Sequence, residues 1–180
     1  MKILIFIIYL VFMPDFLIHD FSPQSAKQWK VVDDGVMGGQ SKGNFYINKA
    51  GSGVFSGSVS LANNGGFTSI RHDLSRKLNR ESKTFRIRLK GDGKNYQFRI
   101  KTDLQESGRK DFFSFFYEIK TNQQWQEIEI PFSKMKATFR GRLLDKEPYL
   151  GSDLYEIGFL IANKKAEDFN LEIDWIKVGN

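Results

Sequence analysis

The sequence contains no cysteine, and this absence excludes several kinds of chemistry. Disulfides, thiol nucleophiles and zinc sites built on thiolates all require that side chain. Histidine is also scarce: the chain has two among 180 residues, and they do not show the spacing of a paired metal site. No low-complexity tract, internal repeat or linker divides the chain. We therefore expect one folded domain that uses no metal and no cofactor.

Long apolar runs are absent except at the N-terminus, where an unbroken run extends from Ile3 to Met13 after a single lysine. The run is too short to span a bilayer as a helix and fits the apolar core of a signal peptide, although no small-residue cleavage site follows it. We interpret residues 1–15 as a leader and expect an exported, periplasmic or membrane-associated protein rather than a cytoplasmic one. The alternatives are an uncleaved membrane anchor and a start codon placed too early. No transmembrane helix is expected in the mature domain.

Aromatic residues and glycines are abundant, and both favour β structure. The chain holds 17 phenylalanines and 16 glycines. Aromatic side chains suit the half-buried faces of pleated sheets, and turn signals recur at intervals of roughly 8–15 residues between stretches of alternating polarity. This pattern predicts one all-β domain over residues 16–180. Its first strand is expected at "FLIHDF", followed by a helical turn that begins at Pro23.

Two stretches, "TFRIRLK" and "YQFRIK", alternate strictly between apolar and polar residues and are separated by "GDGKN". Glycines in such a connection allow the positive φ angles of a tight turn. We therefore predict a β-hairpin with one apolar face and one basic face. The basic face would carry Arg86, Arg88, Lys90, Arg99 and Lys101.

The net charge of +6 favours acidic partners only weakly, so the basic face has a simple interpretation as a solvated surface. The alternatives are an acidic protein, and RNA or another polyanion. Single-stranded nucleic acid binds where aromatic rings stack on bases beside cations. Here the aromatic residues alternate onto the opposite face, so nucleic acid is disfavoured.

The stretch "GQSKG", residues 39–43, formally matches the nucleophile elbow of serine hydrolases. That motif exposes its serine between a strand and a helix. Strand-like residues follow Ser41 instead, and His72 lies within a β segment. No phosphate-binding loop and no distinct carboxylate pair is present either, so we expect no enzymatic activity and no catalytic residues.

Six stretches, in this order, resemble the complex I intermediate-associated protein 30 family. They are "WKVVDDGVMGGQSKGNF", "FSGSVSLANNGGFTSIR", "KGDGKNYQFRIK", "WQEIEIPF", "FRGRLL" and "YEIGFLIANKKAEDFNLEIDWI". The resemblance implies a galactose-binding-domain-like jelly-roll β-sandwich, related in shape to carbohydrate-binding modules. It also implies a role like that of the mitochondrial members, which are assembly chaperones of respiratory complex I (NADH:ubiquinone oxidoreductase).

The family motifs supply candidate binding residues. They are Asp34, Gly38, Gly39, Ser41, Asn64, Arg71 and Arg140. Because a charge among apolar neighbours needs a partner, we expect Arg71 to pair with Asp34. Two interpretations of this cluster remain open: a ligand or partner site, and a network that locks loops at one end of the sandwich. The three tryptophans are expected to pack in the core.

These observations predict a non-catalytic binding or assembly module whose partner is a protein, such as respiratory-complex subunits or assembly intermediates. The main alternative is a carbohydrate-binding module of an exported protein, for which the aromatic segment from Phe112 to Tyr117 would form part of a glycan groove. Binding of RNA or another polyanion through the basic face is the second alternative.

Overall fold

The computed structural model describes residues 15–78, 81–102, 113–151 and 154–180, which form an all-β sandwich. No helix in these ranges has the length and apolar character needed to cross a membrane. The strands are β1 Phe16–His19, β2 Trp29–Asp33, β3 Lys42–Ile47, β4 Gly53–Val59, β5 Thr68–Arg76, β6 Thr84–Gly91, β7 Asn95–Thr102, β8 Ser114–Lys120, β9 Trp125–Pro131, β10 Lys136–Phe139, β11 Arg142–Leu143, β12 Leu154–Ile161 and β13 Glu167–Gly179. Four short 3-10 segments lie between them, at Pro23–Gln28, Asp34–Met37, Ala62–Asn64 and Phe132–Lys134.

The described strands form two antiparallel sheets that face each other. The six-stranded sheet has the order β3-β4-β13-β6-β9, and β1 adds to β13. The seven-stranded sheet has the order β11-β10-β8-β7-β12-β5-β2. Strand β13 is the spine of the first sheet: it pairs with β6 on one side, and with β4 and then β1 on the other. This architecture confirms the predicted jelly-roll β-sandwich.

The core lies between the sheets and is built by the period-two alternation of the strands. In β6 and β7 every second residue is buried and the residues between are half-exposed. Aromatic rings fill much of the space, because the largest fully buried side chains include Phe55, Phe85, Phe98 and Phe159. Burial of each such side chain contributes about 2–3 kcal/mol to folding, so the core is the main source of stability.

The strand β4 contains a glycine where the neighbouring strand approaches closely. Gly57 has a φ of 152°, and a Cβ there would collide with the carbonyl of Lys42 on β3. The sequence predicts a twisted or bulged run at this place. The pairing of β4 with β3 and β13 is nevertheless in regular register. The glycine therefore serves the close approach of two backbones and not a bulge.

The predicted hairpin is wrong. Strand β6 pairs with β13 and β9, whereas β7 pairs with β12 and β8, so the two strands lie in opposite sheets. Strict alternation shows that each strand buries one face. It cannot tell whether two such strands lie side by side or face each other across a shared core.

The connection between β6 and β7 is a corner from one sheet to the other, and Asp92 pins it. The Asp92 carboxylate accepts hydrogen bonds from Tyr96 Oη, at 2.9 Å, and from the Asn170 backbone N–H, at 3.0 Å. Lys94 Nζ lies 2.7 Å from the same carboxylate. Burial alone would raise the pKa of Asp92, but these bonds outweigh it and hold the pKa below its ordinary value. A carboxylate at a fixed corner thus ties β7 to β13.

A cluster of rings closes the sandwich beside β1. His19 is 7% exposed and contacts Phe21, Trp29 and His72 ring to ring. Phe21 N–H and Trp29 Nε1–H point at its two ring nitrogens, at 3.0 and 3.2 Å. A neutral imidazole has a lone pair for one of these donors and a protonated ring has none. Burial, and to a lesser extent the adjacent His72, lowers the pKa of His19 to about 4, against a smaller opposing effect of Asp20.

This cluster makes stability depend on pH. The unfolded chain protonates His19 near pH 6.5 and the folded chain only near 4, so the unfolded state binds more protons between these values. The free energy of unfolding should therefore fall by roughly 2–3 kcal/mol as the pH drops from 7 to 4. Burial also lowers the pKa of His72, which adds to the loss. Urea unfolding of the wild type and His19→Gln across this range tests the effect. Equal slopes in the two proteins would contradict it.

Candidate functional site

Asp34 is the centre of the candidate site and is fully buried, with 0% of its surface exposed. Its Oδ1 accepts the backbone N–H of Ser41, at 2.9 Å, and its Oδ2 accepts the Ser41 hydroxyl, at 2.6 Å. Oδ2 also accepts the N–H groups of Gly66 and Phe67, at 2.6 and 3.3 Å. One carboxylate therefore joins the segment after β2, the start of β3 and the segment before β5.

The charge of Asp34 is stabilised by these bonds. Burial alone would raise the pKa of Asp34, but the bonds from Ser41, Gly66 and Phe67 outweigh it and hold the pKa below its ordinary value. Two glycines make room for the carboxyl group, because a Cβ at Gly39 or at Gly65 would collide with it. The glycine-rich motifs are thus explained by enclosure of a charged group.

The other candidates in the two motifs shape the same loops. Gly38 adopts a left-handed conformation, with φ of 89°, and its carbonyl accepts a hydrogen bond from the Asn63 side chain, at 3.1 Å. Asn64 is exposed and, like Asn63, has a positive φ. The Gly65 N–H donates to the Ala62 carbonyl, so the left-handed turn is centred on the two asparagines.

Ser41 is buried and cannot act as an exposed nucleophile. Its hydroxyl donates to Asp34 and accepts the backbone N–H of Ser60, at 3.0 Å. The strand β3 starts at the next residue, so the helix that a nucleophile elbow requires does not follow. Ser60 was not identified as a site residue from the sequence, although it lies within the family stretch "FSGSVSLANNGGFTSIR".

The expected pairing of Arg71 with Asp34 is wrong. Arg71 lies in β5 next to Ile70, which is in the core, so its side chain projects from the outer face of the seven-stranded sheet. Its Nε donates to Ser69 Oγ, at 3.3 Å. Asp34 instead lies enclosed beyond the end of β2. The alternation of β5 decides the difference, since it directs Arg71 away from the interior.

Arg140 also lies apart from Asp34. It occupies the turn between β10 and β11, at the opposite edge of the seven-stranded sheet from β2. Its guanidinium stacks on the Phe139 ring, 5.3 Å from the ring centre. Asp34, Gly38, Gly39 and Ser41 therefore come together with the exposed Asn64, whereas Arg71 and Arg140 do not join them.

The five predicted basic-face residues do not share a face, because β6 and β7 belong to different sheets. Those on β6 lie on the six-stranded sheet and each has an acidic partner there. The ion pairs are Arg86 with Asp15 and Glu129, Arg88 with Asp174, and Lys90 with Glu172. Arg99 and Lys101 lie on the outer face of the seven-stranded sheet, where Lys101 pairs with Glu156, at 3.3 Å.

The tryptophans divide between core and surface. Trp29 is buried in the core, as expected. Trp125 is on the edge strand β9, partly exposed beneath the Arg88 guanidinium, so the expectation of core packing is wrong for it. Trp175 lies half-buried beside Lys177, whose Nζ is 4.2 Å from the centre of the indole ring. An irregular register in β13 places it there.

The loops around Asp34 carry exposed apolar side chains. Met37 is 64% exposed and Leu61 is 47% exposed. Within the described ranges, no group of three or more histidine, aspartate or glutamate side chains is placed to hold a metal ion.

The family model described as complex I intermediate-associated protein 30 matches residues 19–173. This range contains both loops around Asp34 and nearly all of the sandwich. The chain belongs to this family. The resemblance seen in its motifs is thereby confirmed.

Relatives of this protein include mitochondrial proteins of animals. The mitochondrial complex I intermediate-associated protein 30 of Drosophila melanogaster is 27% identical over 181 residues, which cover 89% of this chain and 61% of the fly protein. The Mus musculus protein of the same name is 35% identical over 97 residues, covering 53% of this chain and 30% of the mouse protein. The chain thus spans between about a third and three fifths of the length of these relatives.

The naming of these relatives as mitochondrial contradicts the expectation of an exported protein. The leader predicted for residues 1–15 lies outside the described residues, apart from Asp15.

Solved structures with the same fold include carbohydrate-binding modules. A family 11 module from Clostridium thermocellum, in complex with a mixed-linked tetrasaccharide, aligns with a TM-score of 0.66 at 20% identity and covers 92% of this chain and 95% of its own. An agarase aligns with a TM-score of 0.57 at 12% identity, over 93% of this chain and 25% of its own. At these identities the likeness establishes the fold alone.

We expect Asp34→Ala to destabilise this family member strongly. The change leaves the N–H groups of Ser41, Gly66 and Phe67 without their acceptor. The expected cost is roughly 3 kcal/mol in the free energy of unfolding, measured by urea denaturation. Asp145→Asn, which changes an exposed carboxylate, is the control and should stay near the wild type. Equal stability of the two variants would contradict the role of Asp34.

Proposed function

We propose that this protein is a non-catalytic assembly factor for respiratory complex I that acts in mitochondria by docking onto protein partners. The observation that carries the proposal is the family match over residues 19–173. Support comes from the fly relative, which is named for complex I and aligns with 89% of this chain. The matched residues make up nearly all of the sandwich, so its surface is where we seek the docking contacts.

The chemistry of the candidate site supports a binding role over catalysis. Asp34 and Ser41 in the glycine-rich loops are both buried and are hydrogen-bonded to each other and to backbone groups. A general base or nucleophile must reach a reacting atom from a cleft. These two side chains stabilise the fold, and neither is exposed in a cleft where it could contact a substrate.

The outer face of the seven-stranded sheet does not favour a glycan. Sugar rings stack on exposed aromatic planes, and in β8 Phe115 is buried in the core while Tyr117 packs against it. Phe116 projects from the outer face, but the Arg99 guanidinium lies over it, 5.9 Å from its ring centre. The aromatic segment predicted to line a groove therefore contributes mostly to the core. Its first residue, Phe112, lies outside the described residues.

The proposal is tested in cells that lack their own member of the family. Expression of the tagged chain at native level should restore assembled complex I, measured by native gel electrophoresis of mitochondria. Mass spectrometry of the purified tagged chain should recover complex I subunits in partial assemblies. Asp145→Asn should behave as the wild type, whereas Asp34→Ala should fail because it lowers stability. Normal complex I without the chain, together with no recovered subunits, would refute the proposal.

A further inference from the structure

The two outer faces of the sandwich differ in how their arginines are paired. On the six-stranded sheet, Arg86 and Arg88 each form ion pairs with carboxylates of the same face. Such pairs leave little net charge for a partner to use. The arginine charges on this face are thus neutralised by carboxylates of the same chain.

On the seven-stranded sheet, the lysines and not the arginines take the acidic partners. Lys30 pairs with Asp73, and Lys101 pairs with Glu156. Arg71 and Arg99 form no ion pair with any carboxylate in the described part of the chain. Two guanidinium groups on one face therefore keep their full charge.

Register places these two arginines on opposite sides of a glycine. Gly158 of β12 pairs with Arg71 of β5 on one side and with Arg99 of β7 on the other. Its neighbours in the strand, Ile157 and Phe159, belong to the core, so the Gly158 position faces outward. Because neighbouring strands are about 4.8 Å apart, the two arginine backbones are separated by about 10 Å. Gly158 itself is buried, and a Cβ there would collide with the Ile70 carbonyl and contact Arg71, so the glycine allows β5 to lie close to β12.

The arginines are held in place but retain free donors. Arg99 donates from Nε and Nη2 to Gln97 Oε1, at 3.0 and 2.7 Å. Arg71 uses Nε to reach Ser69. A guanidinium has five N–H donors, so each keeps others for a ligand. Burial, and then the charge of Arg71, lowers the pKa of Arg99 to about 10, so the side chain stays charged at neutral pH.

Between them is a small cavity of about 50 Å³. This volume holds a few heavy atoms, since a water molecule takes about 30 Å³ in the liquid. Polar groups on its walls include Ser69, Ser114 and Glu156, and the last is already engaged by Lys101. The cavity therefore suits the end of one anionic side chain better than an extended polymer.

We propose that Arg71 and Arg99 together bind a carboxylate of a protein partner, which makes the outer face of the seven-stranded sheet its docking surface. The choice of a protein rests on the proposed function as an assembly factor. Charge complementarity supports an acidic partner, and the planar guanidinium matches a carboxylate through two parallel hydrogen bonds. The partner would supply the negative charge that carboxylates of the chain provide for Arg86 and Arg88.

The first test measures the arginines directly. Acetate is titrated into the folded protein while the Nε–Hε signals of Arg71 and Arg99 are followed by NMR, against chloride at equal ionic strength. Larger shifts with acetate support the proposal, and equal shifts overturn it. Shifts with inorganic phosphate but not with acetate would overturn the assignment to a carboxylate.

Stability separates a binding role from a structural one. Because Arg99 lies on the outer face and bonds only to Gln97 of its own strand, Arg99→Gln should melt close to the wild-type temperature. Arg142→Gln, on an exposed turn strand, is the matched control. A melting temperature for Arg99→Gln as low as that of Asp34→Ala would mean that the residue supports the fold, and this would overturn the proposal.

Association with the partner completes the test. We expect Arg71→Gln with Arg99→Gln to reduce the recovery of complex I subunits by roughly tenfold or more, and Arg142→Gln to leave it unchanged. Arg71→Lys with Arg99→Lys keeps the charge and loses the paired hydrogen bonds. We therefore expect this variant to recover an intermediate amount of complex I subunits. If the double glutamine variant recovers as much as the wild type, the inference fails and the proposed function stands. If the wild type recovers no subunits, the proposed function fails, and the acetate titration still decides whether the arginines bind a carboxylate.

Discussion

The buried carboxylate of Asp34 is the interaction on which the architecture of this sandwich depends. The chain passes from the seven-stranded sheet to the six-stranded sheet between β2 and β3, and it returns between β4 and β5. Asp34 bonds to both connections, through Ser41 in the first and through Gly66 and Phe67 in the second. An enclosed charge is expensive unless its lone pairs are satisfied. Here they are satisfied by the very segments that must be held together.

A second carboxylate, that of Asp92, stabilises the connection between β6 and β7 in the same way. It accepts hydrogen bonds from Tyr96 and from the backbone of Asn170. Carboxylates thus fix the crossings, and aromatic packing stabilises the space between the sheets. The loops are therefore structural, and polar groups that remain free for a partner must be sought on the outer faces. The two faces differ there, because among the described residues Arg71 and Arg99 have no carboxylate partner, whereas Arg86 and Arg88 do.

The family and the fold carry different information about this protein. Relatives named for complex I support a role in its assembly, whereas carbohydrate-binding modules share the sandwich at 20% identity or less. A fold hosts many functions, and function depends on the site. On the seven-stranded sheet of this protein, Phe116 lies beneath Arg99 and not open to a sugar ring. The charged groups of the face, and not its aromatic rings, distinguish it.

The sequence by itself determined the fold class, because alternation of apolar and polar residues follows the period of a strand wherever one face is buried. It also placed Asp34 and Ser41 in one candidate polar cluster, since both lie in one short loop, but it assigned Arg71 and not Ser41 as the partner of Asp34. Only the tertiary structure decided which strands are neighbours. Alternation is the same for a hairpin and for strands in opposite sheets. The partners of β6 and the separation of Arg71 from Asp34 therefore could not be predicted from it. The meeting of Arg71 and Arg99 across Gly158 depends on the register of three strands, which no local pattern encodes.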